Sequence, residues 1–225
     1  MTTAVSGAGS RLPIVILISG RGSNMLAIAE RAASGALPVD IRAVVSDRAD
    51  AAGLAAATRL NIPTLALSPR EFADRAAYDA ALAQRVAACE PGLVVLAGFM
   101  RILTPAFIQP FADRILNIHP SLLPKYRGLH THRRALEAGD TVHGVSVHFV
   151  TQELDGGPVI IQARVPVLVG DTEASLSARV QRQEHRIYPQ VIDWFAGGRL
   201  RLRDDRAWLD GEPLDTPITM DAEGE

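Results

Sequence analysis

The sequence predicts an α/β fold of three layers, in which a doubly wound, mostly parallel sheet lies between helices. Short apolar runs rich in β-branched residues recur through the first half of the chain, and segments with helical periodicity separate them. This alternation is typical of parallel strands joined by right-handed crossovers. After Gly128 the pattern changes, and the alternating residues 142–150 predict antiparallel strands added in the C-terminal part.

Each predicted element has a local signal. The first strands are continuous apolar runs of the type buried on both faces of a sheet, at residues 13–19, 41–46, 64–67, 93–97 and 115–119. The helices are periodic segments at residues 25–34, 51–60, 69–88, 131–138 and 172–195, with a short one after Thr104-Pro105. Proline marks a weak point of the last helix at Pro189, and a break is expected near Asp74. Residues 159–165 predict a further strand and residues 200–209 a terminal hairpin.

One domain is the simplest organisation. The chain has 225 residues, of which 48% are hydrophobic and 21% charged, so a substantial core is possible and global disorder is not expected. We see no repeat, low-complexity tract or linker that would divide it. We therefore expect a single domain over residues 12–211, with flexible tails at residues 1–11 and 212–225.

Charge and cysteine content limit the partners and the compartment. The net charge is −2 with both signs interspersed, which does not suggest a nucleic-acid surface. Cys89 is the only cysteine, so an internal disulfide is impossible, and we expect a buried small hydrophobe in a reducing compartment. The apolar run at residues 12–18 is too short to span a bilayer. These features predict a soluble cytoplasmic protein without a membrane partner.

A pair of polar residues interrupts the strand predicted at residues 115–119. Asn117 and His119 are two apart, so in an extended chain their side chains project to the same side. Pro120 ends the strand, and ligands of open α/β sheets bind beyond the carboxyl ends of strands. A donor amide beside a titratable base indicates a catalytic pair. The alternative is that Asn117 caps a turn and His119 is a satisfied core histidine.

The turn Gly20-Arg21-Gly22-Ser23-Asn24 lies between the first strand and the first helix. Backbone N–H groups and the helix dipole favour a phosphate there. The turn resembles a dinucleotide fingerprint, with Asp47 placed as a ribose-binding acid, but Met25 occupies the position of the third glycine. We therefore favour a single phosphate over NAD, and a plain tight turn is the alternative.

Asp155 and a group of histidines complete the candidate residues. Asp155 precedes two glycines, where it could pair with His119 and favour the protonated imidazole, or simply form an Asp-Gly turn. His130, His132, His143 and His148 raise the question of a metal. Metal sites usually bring several carboxylates and a clear ligand spacing, and acids are sparse here, so we expect no metal.

Six motifs follow one another along the chain. They are Ser-Gly-x-Gly-Ser-Asn at 19–24, Leu-Ala-Gly-Phe-Met-Arg-Ile-Leu at 96–103, Leu-Asn-Ile-His-Pro-Ser-Leu-Leu-Pro at 116–124, Gly-Leu-His-Thr-His at 128–132, Ser-Val-His-Phe-Val at 146–150 and Glu-Leu-Asp-Gly-Gly-Pro-Val at 153–159. Together they resemble the phosphoribosylglycinamide formyltransferase family, the folate-dependent enzymes of purine synthesis, from about Pro13 to Gly211. Arg127 stands where the family often has proline.

The resemblance implies a Rossmann-like formyltransferase fold and a specific reaction. A formyl group would pass from 10-formyltetrahydrofolate, a cosubstrate, to the amino group of glycinamide ribonucleotide, by direct attack with general-acid and oxyanion stabilisation. Carried over by position, the catalytic residues would be Asn117, His119 and Asp155. Gly22, Ser23 and Asn24 would bind the substrate phosphate, and Glu184 its glycinamide end. The folate would be held by Arg75, Met100, Arg101, Ile102, Leu103, Thr151, Gln152, Glu153, Leu154 and Asp155. The family also suggests a homodimer.

Three alternatives stay open at this point. Methionyl-tRNA formyltransferase and formyltetrahydrofolate hydrolase resemble the same catalytic core. The first usually carries a further C-terminal domain and the second an N-terminal regulatory one, and 225 residues leave room for neither. A non-catalytic nucleotide-binding module is the third alternative, against which the intact set of Asn117, His119 and Asp155 argues.

Overall fold

The computed structural model describes residues 11–221 and contains one large sheet and one small sheet. The large sheet has eight strands in the order β11-β7-β6-β5-β4-β1-β2-β3. Its strands are β1 (Leu12–Ile18), β2 (Val39–Ser46), β3 (Thr64–Ala66), β4 (Leu93–Leu96), β5 (Ile115–His119), β6 (Val142–Phe149), β7 (Val159–Pro166) and β11 (Ile218–Asp221). The small antiparallel sheet is formed by β8 (Leu200–Arg203), β9 (Arg206–Leu209) and β10 (Glu212–Pro213).

Six α-helices connect these strands within the described residues. They are α1 (Ser23–Ala33), α2 (Ala52–Arg59), α3 (Arg75–Ala87), α4 (Pro105–Ile108), α5 (Thr131–Glu137) and α6 (Glu173–Ala196). The break expected near Asp74 is confirmed, because a short 3-10 helix at Pro69–Glu71 precedes α3 and the Asp74 side chain caps α3. Pro189 does not interrupt α6, which continues through it.

The predicted fold class is confirmed. The first five strands pair in parallel, whereas β6 pairs antiparallel with both β5 and β7. From β1 the chain proceeds outward through β2 and β3, then returns to place β4 on the other side of β1. The crevice outside the carboxyl ends of β1 and β4 is therefore the topological switch point, where such sheets bind ligands.

The core forms two layers, one on each face of the sheet. Alternate residues of β1 illustrate the division: Ile14 and Ile16 pack in one apolar cluster, Val15 and Leu17 in the other, and all four are fully buried. The first cluster includes α6, whose Tyr188 hydroxyl lies 2.9 Å from the Leu96 carbonyl oxygen. This contact ties the longest helix to β4, beside the switch point.

The C-terminal residues depart from the prediction. The hairpin expected at residues 200–209 is confirmed, but residues 212–225 were expected to be a flexible tail. The structure instead places β10 in the small sheet and pairs β11 in parallel with β7 at the edge of the large sheet. Ile218 and Met220, two residues apart on β11, both pack against the core. The strand has only four residues, so this alternation is too brief to stand out in the sequence. Residues 222–225 lie outside the described residues, as does the other expected tail, residues 1–11, except for Arg11.

The expectation for Cys89 is met only in part. Its side chain is half-buried rather than fully buried, and it packs against the second core cluster. Its thiol lies 3.6 Å from the Arg85 carbonyl oxygen of the preceding helical turn.

Candidate active site

Asn117 is held by a histidine on the neighbouring strand. The register of β5 against β6 pairs Asn117 with His148, and the Asn117 Nδ2 atom lies 3.1 Å from His148 Nε2. The other ring nitrogen of His148 donates to the Phe149 carbonyl oxygen at 2.8 Å. Burial lowers the pKa of His148 to about 4, so its single ring hydrogen is used in that bond. His148 Nε2 must therefore accept from the Asn117 amide, which fixes the orientation of the amide and leaves its second hydrogen free to donate.

His119 lies at the end of β5, between a backbone carbonyl and a carboxylate. It is 6% exposed, and its Nε2 atom is 2.9 Å from the Tyr126 carbonyl oxygen. Because a carbonyl only accepts, Nε2 carries a hydrogen. The opposite nitrogen, Nδ1, lies 3.5 Å from Asp155 Oδ2. His119 thus has the arrangement of an oriented acid–base group, with a backbone carbonyl at one ring nitrogen and a carboxylate near the other.

Asp155 enters the site from the loop after β6. Its backbone is left-handed, with φ of 47°, a conformation that aspartate and asparagine adopt more readily than most residues. Its Oδ2 atom also accepts from the Gly128 amide at 2.9 Å, and its Oδ1 atom lies 3.8 Å from His148 Nε2. A Cβ at Gly157 would lie 2.0 Å from the Phe149 carbonyl oxygen, so only glycine allows this loop to pass so close to β6. The carboxylate therefore accepts from Gly128 and lies near both His119 and His148.

One pocket contains all three of these side chains. Its volume is about 460 Å³, and Asn117, His119 and Asp155 line it together. Nine of the ten predicted folate residues also line it, namely Met100, Arg101, Ile102, Leu103, Thr151, Gln152, Glu153, Leu154 and Asp155. Met100, Ile102 and Leu154 are large apolar side chains that remain exposed at its wall. An apolar wall with a few converging polar groups is the usual form of a small-molecule site.

Arg75, the tenth predicted folate residue, lies behind this wall. It is the first residue of α3, and its guanidinium donates to the Ile102 carbonyl oxygen. The same loop is held by the Ser19 hydroxyl, which accepts from the Met100 amide at 2.8 Å, and by Asp79, which accepts from the Thr104 amide at 2.6 Å. The Met100–Leu103 loop is thus fixed at several points along its backbone.

The predicted phosphate turn lies at the neighbouring strand end. Gly22 has φ of 74° and is the N-cap of α1, so the first amides of the helix point into the crevice without helical partners. A Cβ on Gly22 would lie 3.1 Å from the Cα of Gly53. Gly53 of α2 therefore provides the close backbone approach that the third glycine of a dinucleotide fingerprint would give. Met25, which occupies that third position in the sequence, is fully buried in the core. These residues lie outside the pocket lining, but Ser19 connects the two regions through its amide, which donates to the Gly98 carbonyl at 3.0 Å.

Glu184 of α6 meets this turn. Its Oε2 atom accepts from Asn24 Nδ2 at 2.7 Å, and the neighbouring Gln181 amide donates to the Ser23 hydroxyl at 3.0 Å. Burial raises the pKa of Glu184, and the hydrogen bond from Asn24 opposes that rise. The buried Asn24 Oδ1 atom has no hydrogen-bond partner in the described structure. A carboxylate and an unsatisfied amide oxygen are both acceptors, which suits an amine or amide N–H of a ligand.

Sequence reasoning missed three contributors to the site. His148 was considered only as a metal ligand, although its position opposite Asn117 would have been found from a correct strand pairing. Tyr126 and Gly128 contribute through their backbone atoms, which leave no signal in side-chain chemistry. Asp47, considered as a ribose-binding acid, instead faces Arg101, with 3.8 Å between Oδ2 and Nη1.

The described residues lack the features of two other kinds of site. Within residues 11–221, we find no group of three or more histidine, cysteine, aspartate or glutamate side chains placed to hold a metal ion. In the same range, none of the helices combines the length and hydropathy required to cross a membrane.

Comparison with known proteins identifies the class to which this fold and site belong. The family model described as formyl transferase matches residues 12–192, which include β1 to β7 and most of α6. The chain therefore belongs to the formyl transferase family.

Several of its relatives are named phosphoribosylglycinamide formyltransferase. Phosphoribosylglycinamide formyltransferase of Escherichia coli is 58% identical over 201 residues, which cover 89% of this chain and 95% of that protein. The enzyme of that name from Haemophilus influenzae is 48% identical, and the alignment again covers 89% of this chain and 95% of that protein. A solved structure of the Coxiella burnetii phosphoribosylglycinamide formyltransferase, in complex with CHES, aligns with a TM-score of 0.89 and 49% identity and covers 93% of this chain and 99% of that one. The resemblance drawn from the six motifs is confirmed.

Proposed function

We propose that this protein transfers the formyl group of 10-formyltetrahydrofolate to the amino group of glycinamide ribonucleotide in purine biosynthesis. The observation that carries the proposal is the convergence of Asn117, His119 and Asp155 in one pocket with the predicted folate residues. The names of the relatives support the same reaction. The hydrolase, the tRNA formyltransferase core and the inert nucleotide-binding module have no comparable support.

Asn117 would stabilise the oxyanion. When the amine attacks the formyl carbon, negative charge develops on the formyl oxygen, and a preorganised donor there lowers the barrier. The bond to neutral His148 holds the amide with a hydrogen available, so it does not have to reorganise during the reaction. Two substrates held in attack geometry need no covalent enzyme intermediate.

His119 would be the general acid. The folate nitrogen that leaves must be reprotonated, and an imidazolium placed in the pocket can supply the proton directly or through water. Asp155 lies 3.5 Å from Nδ1 and stabilises the positive charge of that imidazolium. Because Gly128 also donates to the carboxylate, the position of Asp155 does not depend on the protonation of His119.

The two substrates would occupy adjoining regions of the carboxyl edge. The Gly22, Ser23 and Asn24 amides would bind the phosphate at the N-terminus of α1, and Glu184 would accept from the glycinamide end. The apolar side chains of the Met100–Leu103 loop and of Leu154 would pack on the folate ring, with Arg75 fixing that loop from behind. Because Ser19 bridges these regions, the relative position of the two substrates would be set by β1 and β4.

The proposal includes the organisation of the protein. Residues 12–221, which include β10 and β11, act as one catalytic domain, the enzyme is cytoplasmic, and it associates as a homodimer. The reaction uses no metal and involves no nucleic acid. Sedimentation velocity of the purified protein tests the dimer.

The reaction is tested by mixing the protein with both substrates and following deformylation of the folate spectroscopically. We expect deformylation only when glycinamide ribonucleotide is present. Equal rates with and without that substrate would support a hydrolase, and no deformylation in either case would support an inert binding module.

A further inference from the structure

A second pair of histidines extends from the wall of the pocket into the protein interior. His132 of α5 lines the pocket, and its Nδ1 atom is 3.1 Å from Nε2 of His143, a residue of β6. The two rings are nearly perpendicular, with centroids 5.2 Å apart. His143 is only 1% exposed, so this contact is made in the protein interior. The pair plays no part in the mechanism described so far.

The direction of the hydrogen bond between these rings can be assigned. His143 also bonds to the backbone carbonyl of Pro120, which can only accept. Burial lowers the pKa of His143 to about 4, so near neutral pH the ring is neutral and has one hydrogen. That hydrogen is committed to Pro120, and Nε2 of His143 must be an acceptor. His132 therefore donates from Nδ1.

This assignment determines the state of the remaining nitrogen of His132. A neutral imidazole that carries its hydrogen on Nδ1 has a lone pair on Nε2. Because Nδ1 is turned inward to buried His143 and the residue lines the pocket, Nε2 is the nitrogen available to the pocket contents. Burial lowers the pKa of His132, the nearby His119 lowers it further, and Glu173 of α6 opposes both, so the ring is neutral near pH 7.

We infer that His132 Nε2 is the proton acceptor for the attacking amine, an inference that rests on the proposed formyl transfer. As the C–N bond to the formyl carbon forms, the carbonyl π electrons move to the oxygen, and the substrate nitrogen becomes positively charged. His132 takes the surplus proton from that nitrogen. The oxyanion then re-forms the carbonyl as the bond between the folate nitrogen and the formyl carbon breaks. The electron pair of that bond goes to the folate nitrogen, which takes a proton from His119. The proton on His132 then passes to His119 through solvent. This step restores both histidines to their starting protonation states.

The other basic groups of the pocket are already engaged. His119 serves as the acid in the same turnover and cannot also accept the proton in that step. His148 Nε2 accepts from Asn117, and Asp155 accepts from Gly128 beside His119. Glu173 lies 3.5 Å from the Arg133 guanidinium, and Glu153 is paired with Arg127. His130 also lines the pocket, but its Nδ1 atom lies 3.5 Å from the Arg133 guanidinium, which can only donate, so in that contact Nδ1 is the acceptor and Nε2 carries the hydrogen. His132 lines the pocket, is held by His143 through Nδ1, and keeps a lone pair on Nε2.

The substitution His132→Asn separates the two functions of the ring. The asparagine amide can reproduce the Nδ1 hydrogen bond to His143, but it has no group that accepts a proton at neutral pH. We expect kcat to fall by about 10² to 10⁴, the usual contribution of a positioned base. KM and the thermal unfolding temperature should change little. A second variant, H132Q, also lacks a base and should show the same loss if H132N does not fold.

The pH profile provides a readout that a structural role would not change. In the wild type, the rate should fall as pH decreases through the lowered pKa of His132, because a protonated base cannot accept. That acidic limb should be absent from the residual activity of both variants. Turnover within a few-fold of wild type, or an unchanged acidic limb, would overturn the inference.

Nitrogen-15 NMR of the histidine rings tests the geometry independently of activity. We expect the Nδ1–H tautomer for His132 near neutral pH, and the Nε2–H tautomer would overturn the inference. If the wild type failed to transfer formyl groups, the proposed function would fall while this tautomer measurement still reported on His132. If the wild type transferred them and H132N did so equally well, only the inference about His132 would fall.

Discussion

Replacement of Asp155 by asparagine removes one charge from the site and little else. Asparagine has nearly the same shape, tolerates the left-handed backbone at this position and can still accept from the Gly128 amide. The loss is confined to the interaction of the carboxylate with protonated His119, at 3.5 Å between Oδ2 and Nδ1.

The structure sets the scale of the effect. Two unit charges 3.5 Å apart interact by about 5 kcal/mol at an effective dielectric constant of ~20, which is an upper bound for this buried pair. A fall in kcat of about 10² to 10⁴ corresponds to ~2.7 to 5.5 kcal/mol in barrier, so this interaction is large enough to account for all but the upper end of that interval. Substrate binding should change far less, because the charge matters mainly as the tetrahedral species forms and collapses.

Steady-state kinetics of D155N in both substrates is the assay. Asp210→Asn is the matched control, since it removes a carboxylate that binds the Arg199 guanidinium at 2.6 Å in the small C-terminal sheet. D210N should keep the wild-type kcat. If D155N also kept it, Asp155 would be an ordinary turn residue and the catalytic set would reduce to Asn117 and His119.

Three further predictions follow from other parts of the molecule. Gly22→Ala should weaken binding of glycinamide ribonucleotide much more than binding of folate in calorimetric titrations. Gly35→Ala is the control: it introduces the same left-handed strain, at φ of 80°, but has open space around it and should weaken neither ligand. Equal losses for both ligands in Gly22→Ala would contradict the phosphate site. Exhaustive chelation and Cys89→Ala should each change the rate by no more than about tenfold, ~1.4 kcal/mol in barrier, and a loss reversed by zinc or iron would instead indicate a metal centre. The Arg179 guanidinium holds the pKa of Asp171 well below its usual range, so this pair stabilises the fold above the unfolded pKa of the carboxyl and loses that contribution as pH falls. Urea unfolding at pH 7 and pH 3 should therefore show a larger acid loss in the wild type than in D171N, and an equal loss would refute the assignment.

The sequence was sufficient for the parts of the fold that depend on local pattern. The apolar β-branched runs predicted the parallel strands, and the alternation at residues 142–150 predicted the antiparallel addition. The pair Asn117 and His119 could be identified because two-residue spacing on a strand fixes a shared face. Glycine signals located the turns at Gly22, which has a left-handed backbone and a close neighbour in Gly53, and at Gly157, where the structure leaves no room for a side chain.

The remainder depends on contacts between distant segments. β11 was missed because its pairing with β7 stabilises it, and four residues with a two-residue period give little signal on their own. The role of His148 depends on the register of β6 against β5, and that of His132 on a bond to another strand. Pro189 was expected to weaken α6, but the helix is long and packs on the core through Tyr188 and Ile192, and this packing outweighs one lost hydrogen bond.

Transfer of the formyl group itself is the central claim, and an isotopic label tests it most directly. The enzyme is incubated with glycinamide ribonucleotide and 10-formyltetrahydrofolate that carries carbon-13 in the formyl group, and the products are analysed by NMR. The account predicts that the label appears in an amide bond on the amino nitrogen of glycinamide ribonucleotide, in step with loss of the folate signal. Label recovered as free formate would contradict it, because water rather than the amine would then be the acceptor.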